Sequence, residues 1–166
     1  RPFGGFARKF KLRLVFVYKG FVRVHNGVPS LAVRRTFKFQ LLPNVAQEQR
    51  LVEWLAMCAG LYNQALENRV ATYRATGKGL SYNAQTGHLT ILRRESPAWA
   101  NVPSDVVRSA LRRLDRAFQA FFRRVKTGQK PGFPRFRSRS VYDSFSFPAK
   151  KKTLHDNRVH VPLLGH

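Results

Sequence analysis

Cysteine is nearly missing from this chain: Cys58 stands alone among 166 residues. One thiol excludes an internal disulfide and a multi-cysteine zinc site, and no disulfide-linked partner is expected. Cys58 falls on an apolar helical face, so it reads as a small buried hydrophobe. Acid is the second shortage, with 8 Asp+Glu against 31 Lys+Arg and a net charge of +23. The acids are scattered, mostly beside Arg or Lys on predicted helices, and each reads first as a surface ion-pair partner. No convergent carboxylates for metal-assisted hydrolysis, no phosphate-cradling Gly-rich loop and no marked nucleophile stand out. His155, His160 and His166 could hold a metal, but no Cys or carboxylate cluster supports them; His25 and His88 read as isolated surface residues. Long apolar runs are lacking too. None approaches the ~20 residues that a bilayer span needs, and no membrane partner is expected. The positive charge is spread over strands, loops and helices rather than gathered on one amphipathic helix, which favours nucleic acid over a membrane surface.

What the chain does have centres on Ser104–Lys130. Val107, Leu111, Leu114, Phe118, Phe121 and Val125 recur at steps of four and three, one stripe of an α-helix. Ala110, Ala117 and Phe122 widen that stripe. Arg108, Arg112, Arg113, Arg116, Arg123, Arg124 and Lys126 fill the other faces against only Asp105 and Asp115. Ser104 is the expected N-cap and Gly128 the expected stop. A mixed-sign face would read as merely solvated. Here one sign dominates, which points to an anionic partner.

The rest of the chain is strands, then helices, then strands. Phe10 to Tyr18 alternate as in a strand, and Asn26-Gly27 is a turn signal that would pair Phe21–His25 with Leu31–Leu41. Asn44 and Gln47 read as a capping box opening a helix. That helix buries Leu51, Trp54, Leu55, Cys58, Leu61, Tyr62, Ala65, Leu66 and Tyr73. Gly60 weakens it and Lys78-Gly79 ends it. Ser81 caps a weaker helix through Leu89, Ile91 and Leu92, in which Gly87 is a weak point. Pro97 and Pro103 bracket a linker holding Trp99 as a core plug. Pro131 to Arg137 forbid a helix. Ser144–Phe147 and Arg158–Val161 alternate like short strands, with Lys150-Lys151-Lys152 and Asp156-Asn157 forming a turn between them. The order implies an α+β chain: a helical lobe inserted into a small β-barrel-like module. Phe133, Phe136, Tyr142 and Tyr82 are aromatics that could stack on a base, although most such rings are core.

These motifs, in this order, resemble the TnpB (OrfB-type transposase) family. The resemblance rests on TFKFQLLPNVAQEQRLVEWLAMCAGLYNQALENRVATYRATGKGLSYN, LRRLDRAFQAFFRRVKTGQKPGFPRFRSR, DSFSFP and NRVHVPLLG, and runs from Arg34 to Gly165. It implies an RNA-guided DNA endonuclease as parent. In that family this region is a helical recognition lobe inserted in an oligonucleotide-binding-like wedge barrel. The implied division is an unmatched basic extension at 1–33, wedge strands at 34–43 and 131–166, and a lobe at 44–130, with a helix-turn-helix region at 36–80. The family's nuclease uses an Asp-Glu-Asp site for Mg²⁺ and a four-cysteine Zn²⁺ module; neither motif occurs in these residues, so no cofactor and no catalytic residue is expected here. The resemblance places target-DNA contacts at Tyr82, Thr86, Ser104 and Arg108. The arginine face adds Arg112, Arg116 and Arg123. Guide-RNA contacts are expected at Lys38, Arg135, Arg137, Arg139 and Lys150. It also implies a prokaryotic cytoplasm, in association with the nucleoid. One departure is that Gly60-Leu61 precede Tyr62-Asn63 where the family has Arg or Lys.

Three readings follow: a nucleic-acid-binding portion of a transposon-encoded RNA-guided nuclease, a free-standing basic RNA-binding protein, and a remnant of a mobile element. The chain starts without Met and stops at His166 without a closing element, so both ends are expected to be cut or mis-assigned. Relatives begin near Val33, and residues 1–32 are expected to be dispensable for the fold.

Overall fold

The structure, a computed structural model, describes residues 13–21, 32–146, 154–155 and 158–165. The chain divides into two compact units, Arg1–Val45 and Ala46–His166.

In the first unit, β1 (Arg13–Phe21) pairs antiparallel with β2 (Ala32–Gln40), from Arg13 opposite Gln40 to Phe21 opposite Ala32. The first arm is therefore nine residues long and ends at Phe21, where the sequence reading began it. Every pair straddles Asn26-Gly27 symmetrically in sequence number, although that dipeptide and His25 lie outside the described residues. The boundary expected at residue 33 falls inside β2.

The second unit is helical at its centre. Helix α1 (Val45–Thr76) starts immediately after Asn44 and continues unbroken through Gly60. It ends one step before the expected breaker: Gly77 takes φ +68 and its N–H donates to the Tyr73 carbonyl at 2.8 Å, a left-handed geometry that suits glycine. Ser81 caps α2 (Tyr82–Glu95), accepting from the Ala84 N–H at 3.2 Å. The expected linker contains a one-turn helix, α3 (Pro97–Ala100), opened by Pro97 as proline's fixed φ allows.

Helix α4 spans Ser104–Lys126. Ser104 does not cap it. The flanking residue is Pro103, whose carbonyl already accepts the Val106 and Val107 amides at 3.0 and 3.3 Å, and no side chain caps the turn. At the far end Gly128 has φ +66, the Gln129 N–H reaches the Arg124 carbonyl and the Gly128 N–H reaches that of Val125. This is a Schellman ending, so the glycine stops the helix as expected.

The core lies between α1 and α4. The eight α1 residues expected from Leu51 to Leu66 are buried, with Ala59 and Arg69 in addition. Tyr73 is not; it is 62% exposed, because the apolar stripe is interrupted at Arg69 and α1 then borders an open groove. From α4 the core takes Val106, Val107, Ala110, Leu111 and Leu114. The Cys58 thiol donates to the Val106 carbonyl, and Arg69 pairs with Asp115. Contacts that advance together along both helices mean that α1 and α4 run side by side in the same direction.

After α4 the chain runs back down this pair. Phe133 meets Phe118 and Phe121, Arg137 meets Asn63, Tyr142 meets Tyr62, and Phe145 meets Trp54. Residues 144–146 are not a strand, since this segment docks on helical side chains rather than on another strand. Farther on, β3 (Leu154–His155) and β4 (Arg158–Val159) are two residues each. The strands of the described residues thus form two separate two-stranded ladders. The expected barrel is not among them, because a barrel requires a sheet that closes on itself.

Candidate nucleic-acid interface

Helix α4 carries the densest set of uncommitted cations. Arg108, Arg112, Arg116 and Arg123 occupy an arc of roughly 80° at 3.6 residues per turn, on the side away from Val107, Leu111 and Leu114. Arg112, Arg116 and Arg123 are exposed and Arg108 is half-buried. Among the described residues the one ion pair is Arg69–Asp115, at 3.0 Å. Asp115, next to Arg116 in sequence, is already engaged: it accepts from Arg69 and, at 2.7 Å, from Gln119. Asp105, one turn before Arg108, is the one acid of α4 in line with the arginines. Beside Arg108 lies Arg93 on α2, whose guanidinium donates to the Trp99, Ala100 and Val102 carbonyls. Burial and then the charge of Arg108 pull the Arg93 pKa down, yet an arginine stays protonated. Two cations thus sit close together, an arrangement that favours an anion.

Arg135, Arg137 and Arg139 are all exposed. The Asn63 side-chain amide fixes the middle of this run, donating to the Arg137 carbonyl at 2.9 Å and accepting its N–H at 2.8 Å. The extended course ends at Ser138, whose carbonyl accepts from Val141 and Tyr142. Arg139 therefore opens a turn instead of continuing the alternation.

Residues 33–78 match the helix-turn-helix domain of the OrfB/IS605 family. Over 134 residues, 79% of this chain, it is 30% identical to InsQ of Escherichia coli (strain K12), a protein provisionally described as an RNA-guided DNA endonuclease. The chain is similar to TnpB/OrfB-type proteins. It spans about one third of the length of that relative, 32%. The matched residues hold β2 and α1, with the turn and α2 following directly.

The other expected contact residues are dispersed. Tyr82 opens α2 and is half-buried, and the Thr86 hydroxyl donates to the Tyr82 carbonyl at 2.9 Å. Ser104 is the half-buried first residue of α4, one turn before Arg108. Arg93 is the α2 side chain that feels the charge of Arg108. Lys38 sits in β2 opposite Val15, and Lys150 lies outside the described residues. Of the expected stacking rings, Tyr142 is 1% exposed and belongs to the core, while Phe133 and Phe136 are 50% and 64% exposed. Arg113 leaves the charged surface: its guanidinium lies 4.5 Å over the Tyr142 ring and donates to Ser144. Among the described residues no three His, Cys, Asp or Glu converge on a metal position, and no helix is long and apolar enough to cross a membrane.

Sequence reasoning missed the polar tie at the centre. Arg69 donates to Gln85 at 2.7 Å and to Asp115, while Gln85 donates to the Ala65 carbonyl at 2.8 Å. One guanidinium thus joins α1, α2 and α4. The available signal was position, since Arg69 lies three and four residues beyond Leu66 and Ala65 and so falls on the core-facing side of α1.

Proposed function

We propose that this chain binds nucleic acid as the recognition portion of a transposon-encoded RNA-guided DNA endonuclease. It holds DNA along the Arg108–Arg112–Arg116–Arg123 face of α4 and guide RNA through Arg135, Arg137 and Arg139, with Lys38 and Lys150 as further RNA contacts. The observation that carries this reading is a helix face with several exposed guanidiniums on which Asp105 is the one acid, Asp115 being committed to a buried arginine. Such a face attracts phosphates, which position a duplex without reading its sequence. Tyr82, Thr86 and Ser104 would add contacts to the DNA beside the target. The similarity to a protein described as an RNA-guided DNA endonuclease supports the choice of DNA and guide RNA as partners. The role is binding, with the chemistry supplied by other parts of such a system.

Salt dependence tests the assignment. If about six phosphates are neutralised, the log–log slope of affinity against salt is on the order of −5 for duplex DNA. Arg112→Ala with Arg116→Ala should reduce its magnitude by roughly 2, one counterion per contact. Both side chains are exposed, so circular dichroism should be unchanged. A control double at Arg1 and Arg8 should leave the slope in place. Equal weakening by both doubles would show a diffuse charge cloud and overturn the face assignment.

A further inference from the structure

The carboxy-terminal half of α4 borders a groove of about 520 Å³ in the helical unit, within the ~300–1,000 Å³ typical of ligand sites. Tyr73 and Leu80 form one wall and Phe118, Phe121, Phe122 and Phe133 the other. The phenyl rings brace each other: Phe133 meets Phe118 and Phe121 edge-on at 5.6 and 5.4 Å, and Phe122 meets Phe121 at 5.2 Å. The Arg69 guanidinium lies 5.0 Å over Phe118. Yet Tyr73, Phe122 and Phe133 remain 62%, 55% and 50% exposed. Rings grouped this openly mark a site of interaction rather than a finished core.

Charge decides the occupant. From Val70 to Arg94 and from Arg116 to Tyr142, the segments that build and flank the groove, there is no Asp or Glu. Arg74 lines the groove, and Arg123, Arg124 and Lys130 are exposed on the flanking segments. Flat apolar walls with cations at the edge, the one carboxylate beside them (Asp115) being already paired with Arg69, suit a base on a phosphate backbone. A second copy of this chain would bring a net charge of +23 against the same cations. A duplex keeps its base faces stacked and cannot present them.

We infer that this groove is a stacking site for unpaired bases of single-stranded nucleic acid, with Tyr73, Phe122 and Phe133 as the platform. This rests on the nucleic-acid-binding reading above and adds a discrimination that the arginine face alone lacks, single strand over duplex. Phosphates act on the guanidiniums and bases on the rings, so the two contributions separate by salt. Ring contacts release no counterions, so they set the strength of binding and not its salt slope.

The test measures fluorescence anisotropy of labelled oligo-dT, oligo-U and a duplex, each of about 15 nucleotides or base pairs, with the full chain. Tyr73→Ala with Phe122→Ala should weaken both single strands by roughly tenfold per ring, at an unchanged salt slope and with duplex affinity intact. Tyr73→Trp with Phe122→Trp should restore the single-strand affinity. The stronger of oligo-dT and oligo-U identifies whether DNA or RNA is the natural source. Unchanged single-strand binding by the alanine double, with parent binding present, overturns the groove and leaves the arginine face standing. Equal loss for single strand and duplex also overturns it, as does a dimer in sedimentation that Phe122→Ala dissolves. A parent chain that binds none of the three probes sinks the arginine-face reading as well.

Discussion

The two halves of α4 share one apolar period and meet different fates. From Val106 to Leu114 the stripe is closed, with Val107, Ala110 and Leu114 at 0% exposure. Beyond Asp115 the same stripe continues through Phe118, Phe121 and Val125, yet Val125 is 50% exposed and the rings line an open groove. Side-chain size does not explain the difference, since the larger residues are the exposed ones. The partner does. The first half lies along the α1 turns that carry Cys58, Tyr62 and Leu66, whereas the second faces the end of α1, where Arg69, Tyr73 and Arg74 replace aliphatic residues. A periodic stripe therefore states that a face wants covering and leaves open what covers it.

The sharpest way to test the contrast is deletion in each half. Leu114→Ala removes a fully buried side chain and should cost about 3–4 kcal/mol in urea unfolding. Phe122→Ala on the open half should stay within ~0.5 kcal/mol, as at exposed sites. Similar losses from both would mean that the groove is core after all. At the junction of the halves, Asp115→Ala strands the guanidinium of Arg69, whose side chain is 9% exposed. A loss on the order of 3 kcal/mol is expected, the lower end for a broken buried pair because Asp115 is partly open. Arg69→Met together with Asp115→Ala should recover part of that loss, and a strictly additive double-mutant cycle would show that the two do not interact.

Smaller effects probe the closed half. Burial pushes the Cys58 thiol from its ordinary 9.0 up to about 12, against the opposing charge of Arg113. A raised thiol pKa means that its contribution to stability is fully present below pH 9.0 and fades as pH rises toward about 12. Cys58→Ala should remove that share of the alkaline loss. The native thiol should resist iodoacetamide near pH 8, where an ordinary cysteine is already partly thiolate; rapid labelling of folded protein would contradict the burial. Tyr142 is the mildest case. Its hydroxyl is buried with no hydrogen-bond partner among the described residues, and burial raises its pKa. Tyr142→Phe should be neutral or stabilising by up to about 1 kcal/mol, read as an unchanged or higher Tm.

Much of this was legible beforehand. The bounds of α4, the glycine that ends it, the Ser81 cap and eight buried residues of α1 follow from spacing and local chemistry, which act over one or two helical turns. So does the family likeness, carried by motif order. The capping role of Ser104 was misplaced because Pro103 already supplies the acceptor. Tyr142 read as a ring that could stack on a base and Arg113 as part of the charged face, and only the returning segment after α4 brings them together over the Tyr62 side.

Local sequence by itself settled which residues are helical, which faces are apolar, and that the chain is overwhelmingly basic. Those properties depend on backbone propensity, period and charge, all of which are set within a few residues. Tertiary structure alone decided that Arg69 would be buried against Asp115 and Gln85, and that half of the α4 stripe would stay open. It also decided that the segment from Phe133 to Phe145 would dock on helices. These outcomes depend on which surfaces meet across stretches of chain from Arg69–Gln85 to Trp54–Phe145, where the free energy of burying a group is set by its partner rather than by its neighbours in sequence.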